Sequence, residues 1–406
     1  MTRGIRTLLF SSLYPSSVRP GHGIFVETRL RELLGSGAVE SRVLAPVPWF
    51  FSTHARYGAY ALPARTPRHE VHNGIEVQHP RYLLPPKVGM TIAPLCMALA
   101  SAPSVKQLIR DGFDFDLIDA HYFYPDGVAA ALLAKWFRKP FVVTARGSDL
   151  NLIAGYRLPR SLIRWAARRS HGSIGVSQRL VDVLSELGVP PQNRHMLRNG
   201  VDLKRFRPLP CEPVRRELGL GGAPVLISVG HLIEIKGHHL AIDALAQLLP
   251  DWPGARLVVV GDGPQRSALV AQVVRLGLQN QVHFAGAVAN TELFRWYSAA
   301  DVLILASSRE GWANVLLEAM ACGTPVVATD VGAAAEVITS DAVGRLVVER
   351  DAPHIAGAVA SLLRAGPQRA GVRVHAEGFS WLVTTEAQLG LFKRIVATTA
   401  GQGAAA

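Results

Sequence analysis

The sequence predicts two doubly wound α/β domains, and three observations carry that prediction. The chain has 406 residues, enough at roughly 100–200 residues per domain for two or three domains, each with its own core. Short, continuous apolar runs alternate with longer amphipathic stretches, the pattern of parallel strands covered on both faces by helices. The alternation runs twice. Between the two runs lie Arg198-Asn199-Gly200-Val201-Asp202 and the proline-rich Arg207-Pro208-Leu209-Pro210, where turn and linker residues collect. This divides the chain into a first domain over residues 1–198 and a second over 199–379, with a ligand cleft expected between them. A last helix over 380–399, opened by Ser380 as N-cap, is expected to complete the first domain, although nothing in the sequence alone places it there.

In chain order, strands are expected at 7–10, 42–47, 117–119, 141–144 and 173–176, then at 225–229, 257–260, 282–284, 302–305 and 325–328. Helix-like stretches cover 126–138, 238–249, 265–276 and 313–321. Residues 48–86 are less regular and rich in aromatics, among them Trp49, Phe50, Phe51, Tyr57 and Tyr60. They read either as a packed excursion or as a surface that touches lipid. The longest apolar segment, 88–102, contains Pro94, which is expected to interrupt it and leave it too short to span a bilayer. Core, membrane contact and subunit interface all remain open for it.

Composition excludes several classes. Hydrophobic residues make up 49% and charged residues 18%, as in an ordered globular protein, with disorder expected only in the tail 401–406. The three cysteines, Cys96, Cys211 and Cys322, have no metal-type spacing, so neither a disulfide framework nor a zinc site is expected and a reducing compartment fits. Net charge is +12, and residues 1–200 hold 25 Lys/Arg against 13 Asp/Glu, whereas residues 201–406 hold 18 of each. An acidic partner is therefore expected at the first half. No lysine-rich run interleaved with aromatics appears, which argues against nucleic acid. The opening residues lack a secretory pattern, and a cytoplasmic place is expected, with peripheral attachment at the inner membrane face as an addition.

Two stretches bear on chemistry. Leu257-Val-Val-Val-Gly261-Asp262-Gly263-Pro264 is a strand running into a glycine turn, which by itself often only connects. The stronger stretch runs Ala306-Ser-Ser-Arg-Glu310-Gly-Trp-Ala-Asn314-Val315-Leu-Leu-Glu318-Ala-Met-Ala-Cys-Gly323-Thr-Pro325. Glu310 falls at the carboxyl end of a strand, where open α/β sheets bind ligands, and the helix starting near Asn314 offers free amides to an anion. Glu318, among Leu316, Leu317, Ala319 and Met320, reads as a sheltered carboxylate that needs a partner.

That stretch resembles glycosyltransferase family 4, whose signature is two glutamates separated by seven residues before a Glu-Ala-Met-Ala-Cys-Gly-Thr-Pro-Val-like run. Further matches occur in the family's order: Ser11-Ser-Leu-Tyr14-Pro15 with Gly21-His-Gly23, then Asn199-Gly200-Val201-Asp202, Val229-Gly230-His231-Leu232-Ile233-Glu234-Ile235-Lys236-Gly237, and Gly261-Asp262-Gly263-Pro264. The resemblance thus covers nearly the whole chain. It implies the GT-B fold, two doubly wound Rossmann-like domains facing each other across a cleft, and retaining sugar transfer from a nucleotide donor. It implies that Gly23, His231, Lys236, Gly261, Asn314 and Val315 attend the donor, that Glu318 holds the ribose hydroxyls, and that Glu310 lies near the donor sugar. The opening segment and Arg146-Gly-Ser-Asp149 are similar to bacterial polysaccharide-assembly members of teichuronic-acid type.

Read chemically, a departing nucleoside diphosphate leaves negative charge that fixed cations, helix amides or a metal must stabilise. Lys236 is the best cation; without its surroundings a loop lysine would read as solvated. Two glutamate oxygens suit two vicinal hydroxyls. Glu310, Lys236 and His121 are the candidate catalytic residues, with Glu310 not assigned as a covalent nucleophile. His121 either orients a sugar or is a satisfied structural histidine. Gly21, Arg146 and Asp149 are expected on the acceptor or phosphate side. His231 and Arg146 stand where the family often has arginine and histidine, and an arginine is unsuited to act as a base. Asp114-Phe-Asp116 has metal-site spacing but precedes its strand, so it reads as a solvated turn; no metal and no cofactor beyond the nucleotide-sugar co-substrate are expected. Arg157, Arg160, Arg164 and Arg168 share one helical face, either solvated or turned to an anionic lipid or pyrophosphoryl-lipid acceptor.

The leading expectation is a metal-independent glycosyltransferase using a UDP- or GDP-sugar and a glycan or polyprenyl-linked acceptor in cell-surface or exported polysaccharide assembly. An epimerase or phosphorylase on a similar fold and a non-catalytic nucleotide or glycan binder are the other readings.

Overall fold

The computed structural model describes residues 3–85, 89–221, 224–366 and 368–404. Pro86 and Val88, which end two segments singled out in the sequence, and the last two residues of the tail lie outside the described residues. The chain forms two compact units, Met1–Asn199 with Leu382–Ala406, and Gly200–Trp381.

The first unit is built on strands β1 (Ile5–Phe10), β2 (Val39–Leu44), β4 (His69–His72), β5 (Ile75–Gln78), β7 (Leu117–His121), β8 (Phe141–Ala145), β9 (Gly172–Gly175) and β10 (Arg194–Met196), and β3 (Val47–Pro48) pairs separately with β6 (Arg81–Tyr82). Their order is β10-β9-β8-β7-β1-β2-β5-β4, parallel except for the antiparallel pair β4–β5. Strands β7 and β8 are buried along their whole length, the apolar residues as a doubly covered strand requires and Asp119 and His121 of β7 with polar partners. The second unit carries β11 (Val225–Val229), β12 (Arg256–Val260), β13 (Val282–Gly286), β14 (Val302–Leu305), β15 (Val326–Thr329) and β16 (Gly344–Val347) in the all-parallel order β13-β12-β11-β14-β15-β16. Its core joins Leu226, Val259 and Ile304 of the sheet to Leu245 and Val359 of helices His238–Leu248 and Ala352–Ala365.

Three expectations are corrected. Strand 42–47 is displaced to Val39–Leu44, because its first half alternates instead of running apolar: Glu40 faces outward and pairs with Arg6 of β1 at 3.1 Å. The irregular stretch 48–86 contains the β4–β5 hairpin, closed by Asn73-Gly74 with φ of 49° and 78°, the two left-handed positions of a tight hairpin turn. Pro94 does not interrupt the apolar segment. Helix Gly89–Arg110 runs through both Pro94 and Pro103 for 22 residues, long and apolar enough to cross a membrane by length and composition. Pro94 has no N–H to give the carbonyl four residues back, and that carbonyl, Met90 O, instead accepts from the Tyr124 hydroxyl.

Helix Trp381–Ala404 begins in the second unit and packs on the first, where Leu391, Phe392 and Ile395 join Leu33, Leu117 and Val142. Phe392 is fully buried, so Phe392→Ala is expected to destabilise the first unit by about 3–5 kcal/mol, read as a lowered urea midpoint.

Candidate active site

In the second unit the loops after β11, β12 and β13 open a depression of about 620 Å3, lined by Gly230, His231, Gly261, Asp262 and Val288 among others. The glycines there allow backbone to touch backbone. A Cβ on Gly261, whose φ is 142°, would lie 1.9 Å from Gly230 O, and one on Gly237, φ 69°, would lie 2.0 Å from Ala306 O. No other residue fits either place, so the loops press together, the Gly230 amide donating to Val260 O at 3.0 Å and the Gly261 amide to Gly286 O at 2.8 Å. His231 is exposed at this edge.

Lys236 follows in the same loop, and its Nζ donates to Glu310 Oε1 at 2.6 Å. The same oxygen accepts from Ser307 Oγ at 2.7 Å. Glu310 thus holds a fixed cation at the carboxyl end of β14. Asn314 and Val315 open the helix Asn314–Ala321, where the Asn314 amide donates to Trp312 O and the Leu316 amide to Ala313 O, both at 3.1 Å. On that helix Glu318 Oε2 accepts from Tyr297 Oη at 2.8 Å. Burial pushes the Glu318 carboxyl up to about 7, against the Tyr297 hydrogen bond and the charge of Arg205. Tyr297 itself is held well above the usual phenol range by burial and by Glu318, so it stays a donor.

The first unit assembles a buried network at the ends of β7 and β8. Arg146 donates to His121 Nδ1 at 2.6 Å and to Asn199 Oδ1 at 3.0 Å, and its guanidinium lies over the Phe25 ring. With Nδ1 accepting, the neutral imidazole carries its proton on Nε2, which faces Asp119 Oδ2 at 3.5 Å. Burial lowers the His121 pKa to about 4. His121 is therefore a neutral donor near pH 7, not a proton acceptor at Nε2. Asp119 also accepts from Gln388 of the last helix, and Gln388 accepts from Arg29.

Two expectations for this unit change. Asp149 does not face an anion: it is fully buried and accepts from the amides of Phe123, Arg146 and Gly147, so it locks the loop after β8. Arg146 is 9% exposed, with two donor groups committed inside the unit, so it orients His121 and Asn199. Gly21 is exposed in the turn before Gly23, which stands at the N-cap of helix Ile24–Gly35. Asp114 and Asp116 are held apart by different cations, Lys139 and Arg3, and Asp116 accepts the Arg6 amide, so this pair is a structural turn.

Comparison with known proteins decides the family. The family described as Glycosyl transferases group 1 matches residues 212–377, and Glycosyltransferase Family 4 matches residues 59–205. A Bacillus subtilis (strain 168) protein that carries the provisional name teichuronic acid biosynthesis glycosyltransferase TuaC is 33% identical over 338 residues, 81% of this chain and 82% of its own length. The chain belongs to glycosyltransferase family 4. A D-inositol 3-phosphate glycosyltransferase of Acidothermus cellulolyticus is 31% identical to this glycosyltransferase over 75% of the chain and 72% of its own length. Among solved structures, Anabaena Alr3699/HepE in complex with UDP superposes with a TM-score of 0.72 at 21% identity, over 96% of this chain and 100% of that one. Sucrose-phosphate synthase from Thermosynechococcus elongatus gives 0.78 at 21% identity, over 98% and 100%. The fold is GT-B, with two Rossmann-like domains.

Within the glycosyltransferase, the 212–377 match contains His231, Lys236, Gly261, Glu310 and Glu318, and the 59–205 match contains His121, Arg146 and Asp149. Tyr297, Ser307 and Arg205 were not foreseen. Tyr297 reaches Glu318 from 21 residues upstream, a pairing without local spacing, whereas Ser307 lies within the singled-out stretch and could have been read as a donor to Glu310.

The Glu318 shift gives a test with a definite sign. Its folded pKa lies above the ordinary carboxylate value, so the stability it allows is full at low pH and falls as pH rises toward and through about 7. Glu318→Gln removes that loss. The variant is expected to have a higher Tm than the parent at pH 8 and nearly the same Tm at pH 4.5, read by thermal melts across pH.

Proposed function

We propose that this protein is a retaining, metal-independent glycosyltransferase that moves a hexosyl or related sugar from a UDP- or GDP-sugar to a glycan or polyprenyl-linked glycan in cell-surface polysaccharide assembly. It would work in the cytoplasm, its basic first unit meeting the lipid-linked acceptor. The observation that carries this reading is the Lys236–Glu310 pair, reinforced by Ser307, beside glycine loops packed backbone to backbone.

In this reading the diphosphate lies against the glycine loops and the start of helix Asn314–Ala321, where amides and Lys236 stabilise the charge that grows as it leaves. Glu318 accepts the two ribose hydroxyls. The bond from the anomeric carbon to the phosphate oxygen breaks with its electron pair going to phosphate. The acceptor oxygen attacks the same face, and its proton passes to the departing phosphate, so neither configuration nor proton balance needs a protein nucleophile. Glu310 anchors Lys236 and lies beside the cationic sugar. When phosphate takes Lys236, the Glu310 carboxylate, still held by Ser307 Oγ at 2.7 Å, opposes the developing positive charge. His121, with Nδ1 taken by Arg146 and its Nε2–H turned to Asp119, acts as a positioning residue at the end of β7. Solved relatives support a nucleotide-sugar donor: the Anabaena protein is recorded with UDP and with UDP-glucose.

Thermal shift against nucleoside diphosphates and their sugars, with a chelator present, is expected to give a selective rise; binding at 100 times Kd is worth about 2.7 kcal/mol. Glu318→Gln should abolish the shift. Because the ionised carboxylate is the better acceptor, the parent's affinity should be about tenfold weaker at pH 6 than at pH 8. No shift with any nucleotide from folded protein would overturn the donor site.

With the donor so named, Lys236→Ala is expected to lower kcat by about 10²–10³, and a product of inverted anomeric configuration by NMR would exclude retention.

A further inference from the structure

We propose that the first unit docks on an anionic lipid bilayer through helix Gly89–Arg110, the outward face of the helix lying in the membrane interface and the aromatic loop around Trp49 beside it. The helix is apolar on both faces. Ala93, Met97, Ala98 and Val105 are buried in the unit, and this inner packing ties the helix into the fold. Its outer face carries Ile92, Leu95 and Leu99, of which Leu95 is 48% and Leu99 57% exposed. A helix on the surface of a water-soluble unit turns polar residues outward, so an apolar outer face marks a contact.

The patch extends past the helix. Leu84, itself exposed, lies against Gly89, where an added Cβ would sit 3.0 Å from Leu84 Cδ1. Two residues before it, Tyr82 O accepts the Trp49 amide at 2.7 Å. From Trp49 the surface continues into Phe50, Phe51, Tyr57 and Tyr60, whose rings pack with one another while Trp49, Phe51 and Tyr60 remain exposed. Tryptophan and tyrosine with an apolar body and a polar edge suit the headgroup boundary.

Charge selects the occupant. From Val47 to Arg110 there are seven Lys/Arg and two acids, Glu70 and Glu76, and both acids are engaged, by His79 and Arg42. No charge interrupts residues 90–105, and Lys106 and Arg110 close the helix. The exposed arginines 157, 160 and 164 lie on helix Arg157–Ala167, which packs on the turn 123–127, as helix Gly89–Arg110 also does. A second copy would set this basic rim against itself. An anionic bilayer complements it, with lysine and arginine stems along the apolar surface and their heads at phosphate.

The test is flotation of the full chain with vesicles of phosphatidylcholine alone or with one third phosphatidylglycerol, at about 0.1 M salt. Binding is expected only with phosphatidylglycerol. The double variant Leu95→Glu, Leu99→Glu, both exposed positions, should bind at least about tenfold less while keeping the parent's far-UV circular dichroism and cooperative melt, which report that it is folded. Replacing the three arginines with glutamine should weaken binding and flatten its salt dependence. The proposal is overturned if the double variant floats like the parent, if the parent floats with neither vesicle, or if light scattering shows a dimer that the double variant splits. It builds on the lipid-linked acceptor of the proposed function, yet the two fail separately: a missing nucleotide shift removes the donor reading and leaves vesicle binding untouched.

Discussion

Backbone pressed against backbone is the constraint on which the candidate site depends. Gly261 against Gly230, Gly237 against Ala306, and Gly332 against Glu310 O all lie closer than any Cβ allows. These contacts draw the loops after β11, β12, β14 and β15 onto one another. Lys236 follows directly from that closeness, because its loop is pinned to the end of β14, where Glu310 and Ser307 wait. The cation is then fixed before any ligand arrives, which is what electrostatic stabilisation of a leaving group requires. A looser loop would leave Lys236 to wander in water and to be reordered at each turnover.

The first unit solves a different problem, that of burying charge. Arg29, Asp119, His121 and Arg146 are all nearly inaccessible, and each gains a polar partner from a distant element. Gln388 of the last helix bridges Arg29 and Asp119, so the helix supplies a polar link as well as the apolar cover of Phe392. Burial lowers the pKa of both His121 and Arg146, and the neutral imidazole is the consequence. An arginine at position 146 therefore sets the histidine's tautomer instead of serving as an acid or base.

Legibility followed the physics of each feature. Runs such as Leu117–His121, Val225–Val229 and Val302–Leu305 were readable because a doubly covered strand needs apolar residues on both faces. The stretch from Ala306 to Pro325 was readable because its residues act through neighbours in sequence. Alternating or polar strands were not: β4, with the sequence His-Glu-Val-His, has no apolar run, and only its Asn73-Gly74 turn announced it. Asp149 misled because an aspartate at a strand end looks like a ligand group, and its amide partners come from the backbone of Phe123 as well as its own loop. Pro94 misled because the rescue of Met90 O lies with Tyr124, 34 residues away.

That rescue also joins the apolar helix to the loops after β1 and β8. Tyr124 belongs to the turn 123–127 and bonds the helix at Met90; two residues on, Asp126 takes the backbone N–H and hydroxyl of Ser12. Phe123 in the same turn donates its amide to Asp149, which locks the loop carrying Arg146. One buried turn thus ties helix Gly89–Arg110 to the loop that leads to Gly23 and to the loop that orients His121. Each tie is a hydrogen bond to a buried polar group, costly to break without replacement. Contact made by the outer face of the helix is therefore borne by the same short turn that positions Asp149 and, through its loop, Arg146.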